Sequence, residues 1–214
     1  MTTSPSEAIR AALSPARMVT YEVESTTNPP LEGALQLYAW NSRVSAALMV
    51  PLSIAEVVIR NAVHDALQAT FGERWPWHSG FVRSLPERSR GILVDARDDE
   101  NSTGKVVAEL NFGFWQRMFT GRFDGDLWNN HLDRVMPNMD LTKSIQQRRS
   151  LIQNRLEHLR LLRNRIAHHE PLLKRNLHYD FEQTITLISW RCQETSQWTM
   201  HTEDVLSTLN RRPN

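Results

Sequence analysis

Residues 142–171 read TKSIQQRRSLIQNRLEHLRLLRNRIAHHEP. Ile145, Ile152, Leu156, Leu159 and Ile166 recur at steps of seven, four, three and seven, with Leu151 and Leu162 alongside. That is the spacing of one helix face, and it predicts a helix from about Thr142 to Ala167. Pro171 ends it. One more step along the stripe from Leu159 lands on Arg163. A guanidinium on an inward face is costly unless it meets an anion or a partner.

The same period extends through most of the chain. Leu31, Leu35, Tyr38, Val44 and Leu48 trace a stripe that Pro51 is expected to end. Ser53 and Glu56 have the pattern of a capping box restarting the next helix, which runs to Gly72. WPWHSG (75–80) reads as a loop, Pro86 to Asp98 as a helix, and ENSTG (100–104) as its closing loop. A helix over Val106 to Phe119 contains NFGFWQRMF (111–119), and a short one near Leu127 to Val135 precedes MPNMD. After Pro171 to Asn176, a helix is expected over Tyr179 to Gln197. Strand propensity alone would claim TITLISW (184–190) within it, but Phe181, Ile185, Ile188 and Cys192 keep helical spacing. Residues 1–30 carry only a short helix over Ser6 to Leu13 and the linker TTNPP (26–30), and are expected to be a flexible or weakly structured extension. Residues 31–214 form one all-α domain, with neither repeats nor low-complexity tracts.

Forty per cent of the 214 residues are apolar and 23% are charged, the balance of a soluble globular chain. Net charge is +1, so the whole-chain balance names no partner and only local clustering informs. Between Lys143 and Arg165 stand seven basic residues against one acid, Glu157. This run is either a track for a nucleic-acid backbone or a solvated helix face. Cys192 is the single cysteine, which excludes an intrachain disulfide and a cysteine-based zinc site. The start, MTTSPSEAIR, lacks a signal-peptide pattern. SAALMVPLSIAEVVI (45–59), interrupted by Pro51, Ser53 and Glu56, is too short to span a bilayer. A cytoplasmic protein without membrane attachment is the expectation.

The end of the long helix concentrates chemistry. Asn164 and His168 stand four residues apart, so a helix places them on a shared face beside Arg163. Histidine exchanges a proton near neutral pH, and arginine holds a phosphate by two parallel hydrogen bonds and stabilises its extra charge in a transition state. Asparagine orients either group. Attack by an RNA 2′-hydroxyl on the neighbouring phosphate needs no more than these. The structural alternative is an arginine paired with a carboxylate and a histidine that caps the helix.

Arg163, Asn164 and His168 in RNRIAHHEPL give an R-x-x-x-x-H string that resembles the signature of HEPN-fold ribonucleases, in particular their Abi-like, abortive-infection branch. EVVIRNAVHDAL (56–67) and NFGFWQRMF support the resemblance, which covers roughly residues 31–200. It implies a HEPN-like helical bundle with additional helices, dimerised so that two motifs share a cleft. It also implies metal-independent RNA cleavage to a 2′,3′-cyclic phosphate, in phage defence or as a toxin, with no cofactor. In that setting the partner to expect beyond RNA is an antitoxin or other regulatory protein. Arg163 and His168 match the catalytic pair and Asn164 the polar residue after the arginine. His169 and Glu170 belong to the Abi-like string, with Arg165 beside them. Some HEPN proteins only bind RNA or protein partners, and that is the second reading.

Glu56, Arg60, Asn61 and His64 repeat this chemistry on the earlier helix. Either they cap and solvate it, or they form a polar ridge beside the cleft in which Glu56 pairs with Arg60 or Arg163. Zinc is not expected at His168, His169 and Glu170, because helical zinc sites space their histidines four apart. His131 and Asp133 near Asp124 and Asp126 read as a polar loop. Trp75, Trp77, Phe112, Phe114 and Trp115 suit core packing better than base stacking. No helix-turn-helix with a basic recognition helix supports a DNA-binding regulator.

Overall fold

Proline opens each of the first three helices, α1 (Pro5–Leu13), α2 (Pro15–Glu24) and α3 (Pro30–Phe71). At a first helical position its missing N–H costs nothing and its fixed φ is already helical. The computed structural model describes residues 4–98 and 100–213, and the chain is all-α, with no strand among the described residues.

The amino-terminal thirty residues depart from the expected loose extension. Met18 and Tyr21 of α2 are fully buried against α3, with the Tyr21 ring edge-on to Tyr38 at 5.1 Å. Two apolar anchors on a ten-residue helix are easily missed in a sequence whose remaining positions are polar.

Pro51 does not end a helix either. α3 continues through it for 42 residues. An interior proline forfeits one backbone hydrogen bond and costs about 3 kcal/mol. The apolar stripe runs across the proline without interruption: Leu37, Val44, Leu48, Leu52, Ala55, Ile59 and Val63 are all buried. Ser53 is no cap; its hydroxyl donates to the Val50 carbonyl at 2.8 Å. An unbroken α3 also removes the length argument against a membrane span, since an 18-residue window has mean hydropathy 1.6 and is long and apolar enough to cross one. A third of that window is buried inside the protein.

Gly72, at φ 83°, ends α3 in a conformation that favours glycine. A 3₁₀ turn (Trp75–Trp77) leads to α4 (Ser79–Ser84) and α5 (Glu87–Asp98). The helix expected over Val106 to Phe119 is two, α6 (Thr103–Glu109) and α7 (Phe112–Arg117), because the Asn111 side chain accepts from the Phe114 N–H and starts a new one. A π turn (Asp124–Trp128) runs into α8 (Asn129–Val135). Trp75, Phe114 and Trp115 are fully buried and Phe112 nearly so, with Trp75 and Trp115 edge to face at 6.4 Å. They are core.

The quoted stretch becomes α9 (Ile145–Ala167), opened by a reciprocal capping box between Ser144 and Gln147. The last expected helix is also divided, into α10 (Leu177–Arg191) and α11 (Gln193–Thr202), with Cys192 in extended backbone between them. TITLISW is helical, as its spacing implied. α12 (Val205–Leu209) closes the chain. α3 is the axis, in contact with α1, α2, α7, α8, α9, α10 and α12.

Truncating Met18 tests the role of α2. Met18→Ala is expected to cost about 2–5 kcal/mol of unfolding free energy in urea titration, the range for a buried methionine. A loose extension would show no change.

Candidate functional site

Arg163 is not on the buried stripe. The core side of α9 passes from Leu159 to the fully buried Leu162, and the four-residue step to Arg163 turns past it to an exposed position. There Arg163 and Asn164 line a cleft of about 620 Å³ walled by α3, α5, α7 and α9. Its other basic residues are Arg88, Arg117 and Arg160.

Their pairing sets the electrostatics. Arg160 holds Glu157 by two hydrogen bonds of 3.0 and 2.7 Å, which keep that carboxyl below its usual range, and Gln116 donates to the same carboxylate. Arg117 donates from Nε to Ser89 Oγ at 3.0 Å, and its Nη2 is buried without a partner among the described residues. Burial first, then the charges of Arg88 and Arg160, push the Arg117 pKa down. Arg88 and Arg163 have no hydrogen bond or ion pair among the described residues.

The rest of the basic run is occupied. Arg148 lies 2.6 Å from Asp133, Arg149 pairs with Asp124 at 2.9 Å, and Lys143 with Asp140 at 2.6 Å. Arg155 lies over the Trp190 ring at 4.1 Å. Arg165 donates to the Pro171 carbonyl. Of the run's seven cations, Arg163 alone has no partner among the described residues: it faces an open cleft in which four arginines stand with the carboxylates of Glu56, Glu109 and Glu157.

The string after it divides into two jobs. The His169 N–H donates to the Ile166 carbonyl at 3.0 Å and the Glu170 N–H to that of Arg165 at 2.8 Å, the paired bonds of a Schellman terminus. His169 takes the left-handed position at φ 55°, where glycine is usual. The apolar contact common in that motif is replaced by an Arg165–Glu170 ion pair at 3.5 Å. His169, Glu170 and Arg165 are therefore capping residues, not cleft residues. Arg17 of α2 donates to the His169 carbonyl at 2.6 Å, and the buried Leu172 N–H donates to Asn41 of α3 at 2.7 Å. His168 caps α9 through its own N–H to the Asn164 carbonyl, with its residue exposed and outside the cleft lining.

The second constellation also separates. Glu56 lines the cleft, but eight residues turn a helix about 80° out of register, and His64 faces elsewhere. Its Nδ1 accepts from the Trp75 indole at 3.0 Å, and burial pushes its pKa down. Arg60 is half-buried, its Nε without a partner, and Asn61 is exposed; neither lines the cleft. Glu56 makes no pair with Arg60 or Arg163.

Beside the cleft lies a smaller lobe of about 250 Å³, lined by Met49, Leu52, Ser53, Glu56, Phe112, Leu159 and Arg163. Glu56, Phe112 and Arg163 belong to both. Arg88 and Arg117 were not legible as cleft residues, although NFGFWQR carries the second. A polar cluster was missed altogether: Asp180, almost fully buried, accepts from His158 at 2.5 Å and from both arms of Arg175 at 2.8 and 2.9 Å. An acid on the apolar face of α10 was the signal. This cluster ties α9 to α10. No family model, curated protein or solved structure matches the chain.

Two measurements follow. His169→Gly should raise stability by up to about 1 kcal/mol by removing the left-handed penalty, whereas the β-branched His169→Val should lower it, both read in urea. For His64, the unfolded ring binds a proton from about pH 6.5 downward while the folded ring resists it. Stability is whole above that pH and falls as pH drops towards the depressed folded value. His64→Gln should lessen the fall in melting temperature between about pH 7 and 5.

Proposed function

We propose that the protein is a metal-independent endoribonuclease, in line with its resemblance to Abi-like HEPN proteins. The single observation that carries this reading is Arg163, unpaired among the described residues, beside Asn164 on the wall of a cleft rich in arginine. In the proposed reaction the 2′-hydroxyl attacks the adjacent phosphorus and the 5′-oxygen leaves, giving a 2′,3′-cyclic phosphate. His168 takes the hydroxyl proton or supplies one to the leaving oxygen. Arg163 stabilises the charge on the phosphorane, and Asn164 orients it. His168 lies outside the cleft lining, so RNA would have to pass from the cleft over the end of α9, or lie between two copies of the chain.

Exposed apolar residues on α3 support the second arrangement: Met49, which lines the smaller lobe beside the cleft, Val50 and Val57 are 38%, 43% and 41% exposed. Large apolar side chains so exposed favour self-association. The biological setting we propose is phage defence or toxin action, with an antitoxin as the partner to look for. The position of His168 also favours the second reading, a module that holds RNA in the arginine cleft without cutting it.

RNA cleavage in excess EDTA separates them. The parent should cut and leave cyclic-phosphate ends, His168→Ala should lose about 10²–10⁴-fold and Arg163→Ala about 10²–10³-fold. Binding without cutting, lost in Arg163→Ala, would favour the module. Neither cutting nor binding by folded protein would end both readings.

A further inference from the structure

The small lobe has a composition of its own. Leu52 and Leu159 are buried in its wall, Phe112 closes one side and Met49 the mouth. Its volume, about 250 Å³, is under the roughly 300 Å³ where drug-sized sites begin, which suits one flat ring system rather than a peptide. Its polar edge consists of Ser53, Glu56 and Arg163. Ser53 spends its proton on the Val50 carbonyl, so only its lone pairs remain. Glu56, half-buried where the two lobes meet, has no hydrogen bond or ion pair among the described residues. A carboxylate is acceptor-only, so it calls for donors on the ligand.

We infer that this lobe is a nucleobase pocket selective for guanine, with the attached phosphate in the arginine-lined lobe. Guanine presents N1–H and the exocyclic N2–H₂ side by side, two donors that match the two oxygens of one carboxylate. Adenine and cytosine each set an amino group beside a ring lone pair, which a carboxylate repels. Uracil flanks its single N–H with two carbonyls. Single-stranded bases are read in this way, on the Watson–Crick edge with apolar groups against the ring faces. Arg163 spans the shared wall, so a phosphate held by it leaves the base beside Glu56. Beyond it wait Arg88 and the buried Nη2 of Arg117, unpartnered among the described residues. Gly113 leaves room for that guanidinium; a Cβ there would stand 3.3 Å from Arg117 Nη1. The inference takes its ligand class from the ribonuclease reading, but base preference can be measured without cleavage.

The test is calorimetric titration of the full chain with guanosine 3′,5′-bisphosphate, its adenosine, cytidine and uridine counterparts, and inorganic pyrophosphate. The guanosine ligand should bind on the order of tenfold more tightly than the others, as expected for one good bidentate contact. Glu56→Gln should remove that preference with the circular-dichroism spectrum and melt unchanged. Met49→Trp, which fills the lobe from its exposed mouth, should remove it while pyrophosphate still binds. Equal binding of all four nucleotides, a guanine preference that survives Glu56→Gln, or no binding at all would overturn the pocket. Guanosine binding by a chain that cuts no RNA would refute the nuclease and keep the pocket. Cutting without base preference would do the reverse.

Discussion

One uninterrupted apolar stripe along α3 holds the rest of the structure in place. Asn41, in its first half, anchors the chain just past α9 through the Leu172 N–H, and Glu56, in its second half, lines the cleft. Pro51 lies between them. Were the helix to break there, the segment that terminates α9 and the wall that faces Arg163 would sit on separate bodies. Leu48 and Leu52, on either side of the proline, are buried. Each contributes about 1.5–3 kcal/mol at most, so the two together are of the same size as the cost of an interior proline. Continuity of α3 is thus a matter of packing energy overriding local propensity.

That competition explains which parts of the fold could be read in advance. Helical periodicity is a local signal with a global cause, burial of one face, so element type and the all-α class were legible. Breaks are different. Pro51 is a strong local stop overridden by tertiary burial, while Asn111 and Cys192 are weak signals that end up separating helices because their side chains accept backbone N–H groups. α2 was illegible for the opposite reason: two buried residues, Met18 and Tyr21, fix it, and two positions do not make a period.

At the candidate site, the sequence singled out Arg163 by an argument that the structure replaces. Arg163 is unusual because its neighbours in the run find Asp133, Asp124, Asp140, Glu157, Trp190 or the Pro171 carbonyl and it finds none among the described residues. Whether a cation is paired depends on side chains brought in by other helices, and no spacing rule within α9 contains that information. The same holds for Arg88 and Arg117, which reach the cleft from α5 and α7.

The two adjacent histidines show how one short string can stop a helix with one residue and leave its neighbour exposed. His169 occupies the left-handed turn, and its carbonyl is held by Arg17; Glu170 closes the terminus by its N–H and by its ion pair with Arg165. The chain beyond is pinned by Asn41. Contacts from α2, α3 and α9 itself therefore fix the backbone at His168 while leaving that residue exposed. For the proton-transfer role proposed for His168, a backbone held in place is the part of preorganisation that this terminus supplies. A terminus built for rigidity by its outer residues thus leaves its inner histidine exposed, and the left-handed strain at His169 is the local cost of ending α9 at Ala167.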